Sequence, residues 1–158
     1  MSIERVRTYL SCWNRDKDII EMDISTATVE LAAAALGVIP ARIAKSISLR
    51  GVDDRAIIVV TAGDMKLDNR KFKEYFYLKA RMLSHEEALE YTGHAIGGVC
   101  PFALPQNVDV YLDNSMKRFT TVFPACGSGN SAIELTMKEI EEYSQSKAWI
   151  DVCVCFIA

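Results

Sequence analysis

Histidine is nearly missing from this chain: His85 and His94 are the only two in 158 residues. Two imidazoles cannot supply a histidine-rich metal centre, and the five cysteines do not make up for them. Cys153-x-Cys155 is not a usual zinc-pair spacing, and alternate residues of a strand point to opposite faces. No metal and no cofactor is therefore expected. An odd number of cysteines (Cys12, Cys100, Cys126, Cys153 and Cys155) also argues against a disulfide framework and for free thiols. No apolar run approaches the ~20 residues that span a bilayer, and the best one near the end, 152–157, is of strand length. Met1 to Arg5 lead into a mixed polar and apolar stretch, not the apolar core of a secretory signal. No membrane partner and a cytoplasmic location follow as expectations. Neither sign of charge dominates: a net charge of -3 and a pI of 5.4 argue against bulk polyanion binding without excluding it, because a local basic face can sit on an acidic protein. Glycine and proline are too few to form a linker, so one domain over residues 1–158 is expected.

What remains is an ordinary globular composition, half hydrophobic and one quarter charged. Apolar residues at Ile3, Val6, Tyr9, Leu10 and Trp13 recur with a helical period. Alternation predicts a strand over 19–24. Ser25 or Thr26 then caps an alanine-rich helix that runs to Leu36 and is closed by Gly37. Residues 44–50 and 55–62 read as a hairpin over Gly51 to Asp54. A basic, aromatic helix follows over 68–77. Ser84-His-Glu-Glu87 and Thr136-Met-Lys-Glu139 are capping boxes, each opening a helix. Strands are predicted at 108–112, 119–123, 131–135 and 149–157. Several neighbouring strands are joined by short turns, which excludes a doubly wound parallel sheet. The fold class is α/β of the α+β kind: a mixed, barrel-like central sheet surrounded by helices.

The scarce glycines and prolines are concentrated. Gly93-His-Ala-Ile-Gly97-Gly98-Val99-Cys100-Pro101-Phe102-Ala-Leu-Pro105 carries three glycines and two prolines in thirteen residues. Such a segment reads as an ordered loop lining something. Lys45 shares a predicted strand face with Ile43, Ile47 and Leu49. That charge is either snorkelling at a strand end or held in a cleft for a phosphate, carboxylate or developing oxyanion. Gly127-Ser128-Gly129 is a hairpin loop or a row of backbone N–H groups facing an anion; it is neither a Walker A loop nor a dinucleotide fingerprint. Cys100 and Cys126 lie in glycine-rich loops, where packing competes with a nucleophilic role that would need a nearby base. Asp64, Asp68 and Asp113 fall in turns, where aspartate commonly serves the local backbone. Lys66, Arg70, Lys71, Lys73, Lys79 and Arg81 place six cations in sixteen residues, either a solvated helix face or a nucleic-acid contact.

The order of these signals is a strand lysine (Lys45), Gly63-Asp64-x-x-Leu67-Asp68, Gly93-x-x-x-Gly97-Gly98-Val99-x-Pro101, Val110-x-Leu112-Asp113, and the Gly127 loop before Ile133-Glu134-Leu135. From about Ile24 to Ile140 that order resembles the YbaK and prolyl-tRNA synthetase-associated family of aminoacyl-tRNA editing domains. The resemblance implies a YbaK-like fold and a free-standing deacylase that hydrolyses the ester of mischarged tRNA, with Cys-tRNA(Pro) or Ala-tRNA(Pro) as the kind of substrate. It implies that Lys45 is the catalytic-site lysine. The substrate contacts it implies are Asp68, the loop Gly97, Gly98, Val99, Cys100, Pro101 and Phe102, and the loop Gly127, Ser128 and Gly129. The implied partner is the 3′ aminoacyl end of tRNA, with room for an aminoacyl-tRNA synthetase as a second. The alternative is a binding module for aminoacyl-tRNA or a nucleotide-like ligand that has lost catalysis. The chain departs from the family pattern at Ser46, Cys100, Ala103 to Pro105 and Ala125-Cys126; these positions would set which amino acid is accepted.

Overall fold

The computed structural model describes residues 2–156. Helix α1 (Ser2–Leu10) has the expected amphipathic period and buries Ile3, Val6 and Leu10. Strand β1 is only Ile20–Glu21, shorter than alternation predicted, because its partner β7 (Ser131–Ala132) is equally short. Helix α2 (Val29–Leu36) begins later than expected: Thr28, not Ser25 or Thr26, accepts the hydrogen bond from Leu31 N. The sequence offers three hydroxyl residues in a row of four, and Thr26 is engaged elsewhere, its N–H and hydroxyl both donating to Gly129 O.

Strands β2 (Ile43–Arg50) and β3 (Ala56–Ala62) form the predicted antiparallel hairpin. Strand β4 (Met65–Leu67) leads to α3 (Asn69–Phe76), capped by Asp68, and then to α4 (His85–Thr92), whose capping box is complete. Strand β5 (Val108–Asp113) and strand β6 (Thr121–Pro124) follow. The single strand expected at 131–135 is two pieces, β7 and β8 (Leu135–Thr136), which pair with different partners. Thr136 and Glu139 close the second capping box, at the start of α5 (Met137–Ser144).

The closing strand expected over 149–157 is also divided. Strand β9 (Ala148–Ile150) runs parallel to β5, whereas β10 (Cys153–Cys155) is antiparallel to β4. The Asp113 carboxylate causes the break: it accepts the Val152 N–H at 3.0 Å in place of a ladder partner, and the chain crosses to the other sheet. Ile157 lies outside the described residues.

The main sheet is mixed, in the order β8-β6-β2-β3-β5-β9, and curls into a half-barrel. Every residue of β3 is buried, as a central strand covered on both faces requires. Its even-numbered face (Ala56, Ile58, Val60, Ala62) meets α1, α4, α5 and the Cys100–Phe102 loop. Its odd-numbered face meets Phe72 of α3 together with Ile150, Val152 and Cys153. A third cluster joins α2 to Ile43, Phe123 and Ala132 at the end of the sheet. Among the described residues no helix is long and apolar enough to cross a membrane.

Candidate functional site

Strand β2 is incompletely flanked, and the gap is the site. On its outer edge β6 pairs only with Ile43 and Ala44. Further along, Leu83 N donates to Ser48 O and Arg50 N donates to Arg81 O, so the segment 81–83 covers the far end. Between these two partners, Ser46 presents its N–H and C=O outward by strand alternation, and neither finds a backbone partner among the described residues. A cavity of about 290 Å³ occupies this gap.

Its floor is Ile43 to Ser48. Thr26 to Val29 and Ala32, around the start of α2, form one wall, and Ile96, Gly97 and Val99 another, adjoining the first where Gly97 approaches Ala27. Phe123, Ala125, Ser131 and Ala132 close one end, and Met82 and Leu83 the other. The lining is mostly apolar, with one ammonium and a few hydroxyls, as small-ligand sites commonly are.

Lys45 supplies the ammonium. Its Nζ donates to Met65 O at 2.5 Å and lies 4.8 Å from the centre of the Phe156 ring. Burial lowers its pKa from the usual lysine value; the nearby Cys153, Glu30 and Asp64 oppose that shift. Asp64 is itself held by Arg118 through two bonds of 2.6 and 2.9 Å, which keeps its carboxyl below the usual carboxylate range.

The glycine loops are in contact with each other. A Cβ placed on Gly98 would stand 2.7 Å from the carbonyl carbon of Gly127 and 2.8 Å from Ser128 N. The two turns therefore meet backbone to backbone, a separation no other residue allows. Gly97 and Val99 reach the cavity through this arrangement, while Gly98 is buried behind them. The Gly127 loop acts at one remove. Gly129 O accepts from Thr26, and Asn130 exchanges bonds with Met22, which together hold the segment that forms the first wall. Ser128 is turned to Asn130 and Ser131, each at 2.8 Å.

Cys100, Pro101 and Phe102 are buried in the main core and do not line the cavity. Asp68 also lies off it: its carboxylate caps α3, accepting from Lys71 N at 2.9 Å. Sequence reading missed the walls from Thr26 to Ala32, Phe123 and Met82-Leu83. These residues are ordinary apolar and hydroxyl positions, brought together only by strand pairing.

Cys100 does have a base beside it. Its Sγ is 3.5 Å from His94 Nε2. That nitrogen also lies 2.8 Å from Phe102 O, which can only accept, so Nε2 carries the proton and cannot take one from the thiol. Nδ1 then accepts from the Ser2 hydroxyl. Burial pushes the Cys100 thiol up to about 12. The pair is a packing element, not a nucleophile and base.

Burial also lowers the His94 pKa from its ordinary 6.5. The folded state thus prefers neutral imidazole, and stability present above 6.5 is lost as pH falls through the lower folded value, at about 1.4 kcal/mol per unit of depression. Thermal unfolding followed from pH 7 to 5 is expected to show a falling Tm in the wild type and a flatter profile in His94→Gln.

Among the described residues no group of three or more His, Cys, Asp or Glu side chains could hold a metal ion.

Known proteins share this fold and sequence pattern. The aminoacyl-tRNA editing domain model matches residues 24–143. The uncharacterized protein YwhH of Bacillus subtilis (strain 168) is 60% identical over 153 residues, covering 97% of this chain and 98% of that one. EbsC of Enterococcus faecalis (strain ATCC 700802 / V583), named as a candidate Cys-tRNA(Pro)/Cys-tRNA(Cys) deacylase, is 25% identical over 114 residues, 72% of this chain and 70% of its own. The crystal structure of a candidate trans-editing enzyme for prolyl-tRNA synthetase superposes with a TM-score of 0.85 at 28% identity, covering 96% of each chain.

Proposed function

The chain belongs to the aminoacyl-tRNA editing domain family, and on that premise we propose that it acts in trans as a deacylase of mischarged tRNA, on substrates of the Cys-tRNA(Pro) or Ala-tRNA(Pro) kind. The observation that carries the reading is the unpaired edge of β2 beside Lys45, opening into a mostly apolar cavity of about 290 Å³. The apolar walls take a small amino-acid side chain and exclude a larger one by contact with fixed backbone at Gly97 and Val99. The free N–H of Ser46 is a donor for the ester carbonyl oxygen as charge develops on it. The Lys45 ammonium holds the negative charge of the terminal nucleotide.

The ester is already activated, so positioning matters more than a strong nucleophile. Water, oriented by the ribose hydroxyl next to the ester, adds to the carbonyl carbon. The bond to the ribose oxygen then breaks, and that oxygen takes the proton. The products are a free amino acid and a tRNA with an intact 3′ hydroxyl. Cys100 takes no part, since it lies behind the loop with its neighbouring imidazole as a donor.

The test is release of amino acid from Ala-, Cys- and Ser-tRNA(Pro) by the purified protein, with correctly charged Pro-tRNA(Pro) alongside. Release from one mischarged member and sparing of the correct one is expected. Lys45 already rests on Met65 O and the Phe156 ring, and among the described residues no carboxylate or imidazole lines the cavity as a general base. That favours one second reading, a module that binds the aminoacyl end without cleaving it. Saturable binding with no release from any member would establish it.

A further inference from the structure

We propose that helix α3 and the turn after it form the docking surface for the phosphate backbone of an RNA acceptor stem. Charge is segregated in this chain. Residues 66–81 carry six cations and two acids, a net +4, in a protein whose total is -3, so the other residues hold -7. Part of the segment is accounted for locally: Lys71 pairs with Asp151, Arg70 with Glu74 and Arg81 with Glu87. Lys66, Lys73 and Lys79 are exposed and make no ion pair among the described residues. Lys73 and Lys79 line one groove, and like-charged lysines left unpaired together favour the unbound protein poorly and a polyanion well.

Tyr77 is the second observation. It closes α3 in the left-handed region, with φ 58, and is 89% exposed. Helices α2 and α4 close on glycine, which adopts that backbone without strain, and α5 closes on the flexible, polar Gln145 at φ 51. A tyrosine there strains the backbone and gains no burial, and such outliers gather at binding sites. With Lys73 and Lys79 it lines an open groove of about 830 Å³ beside the helix. An aromatic ring among unpaired cations matches a phosphate chain with bases or sugars alongside.

One end of the segment touches the site lysine and the other reaches the cavity. The carbonyl of Met65, one residue before it, accepts a hydrogen bond from the Lys45 ammonium, and Met82, one residue after it, lines the cavity. A stem docked on α3 therefore leads its 3′ end to the site. The inference rests on the editing reading for the identity of that end, but its test does not require hydrolysis.

The experiment is a fluorescence-anisotropy titration of a labelled, uncharged RNA minihelix with a single-stranded 3′ end, repeated over a series of KCl concentrations. The wild type is compared with Lys73→Glu/Lys79→Glu and with Tyr77→Asn. Asparagine tolerates the left-handed backbone, so the fold is kept, and circular dichroism confirms it. Expected are salt-sensitive binding by the wild type, roughly tenfold or greater weakening in the double variant, and a log–log salt slope flatter by about 0.7–0.9 for each phosphate that is no longer neutralised. Tyr77→Asn is expected to weaken binding with little change in slope. Wild-type affinity and slope in the double variant would overturn the proposal. So would absence of RNA binding by the wild type, including the case where the same lysines instead capture an acidic protein surface. Because the RNA is uncharged, a protein that binds it as described yet releases nothing from the mischarged panel sinks the deacylase reading and leaves this surface standing.

Discussion

Lys45→Ala is expected to reduce kcat/KM for a mischarged tRNA by about 10²–10³-fold, the usual consequence of removing one fixed charge or donor from a site that stabilises developing charge. The physical ground is that Lys45 is the only cation lining the cavity among the described residues, and that its ammonium is held at a defined place by Met65 O and the Phe156 ring. Its pH dependence follows with a definite sign. Burial lowers the lysine pKa, and the protonated form is the one that binds negative charge. Activity should therefore fall on the alkaline side at a pH below the ordinary lysine value of 10.5, after subtraction of spontaneous ester hydrolysis. The residual activity of Lys45→Ala should lack that limb. Single-turnover deacylation across the pH range measures both. Undiminished release by Lys45→Ala would remove the lysine from the mechanism and leave the Ser46 N–H and the cavity walls to carry it.

The second large effect is expected from a single methyl group. Gly98→Ala puts a Cβ 2.7–2.8 Å from the Gly127 carbonyl and Ser128 N, all backbone atoms that cannot swing aside. Overpacking of this kind costs about 1–3 kcal/mol, and each kcal/mol lowers Tm by about 2–4 °C in a domain of this size. Activity should fall further than stability explains, because Gly97 and Val99 move with the loop and form one wall of the cavity. Gly129→Ala is the control for stability: its added Cβ meets only Ala27 Cβ, at an ordinary 3.7 Å, and it should melt like the wild type. Thermal denaturation and deacylation of the two variants side by side decide the matter. If Gly98→Ala melts and turns over like the wild type, the close approach of the two loops is not what shapes the wall.

Much of the fold was legible in advance, and the parts that were share a cause. The capping boxes at Ser84–Glu87 and Thr136–Glu139, the hairpin of β2 and β3, and the glycine that closes α2 all depend on hydrogen bonds or backbone preferences within a few residues. Where local signals competed, reading failed by small amounts. Three hydroxyl residues stand before α2, and which of them caps it was settled by Gly129, over a hundred residues away, which engages Thr26. The expected closing strand failed for a similar reason: the carboxylate of Asp113 intercepts Val152 and sends the last strand to β4.

The site divides in the same way. The sequence alone determined that Lys45 is a charge on an otherwise apolar strand face, and that glycine and proline confine the path of residues 93–105, because both follow from alternation and backbone sterics. It also determined the segregation of positive charge into residues 66–81. Only the tertiary structure decided that β2 lacks a partner at Ser46, that Gly98 rests on Gly127, and that Cys100 faces a histidine unable to take its proton. A cavity is made by what surrounding elements fail to fill, and a proton's location is set by whichever acceptor lies nearest. Both depend on groups far apart along the chain, which no short-range pattern encodes.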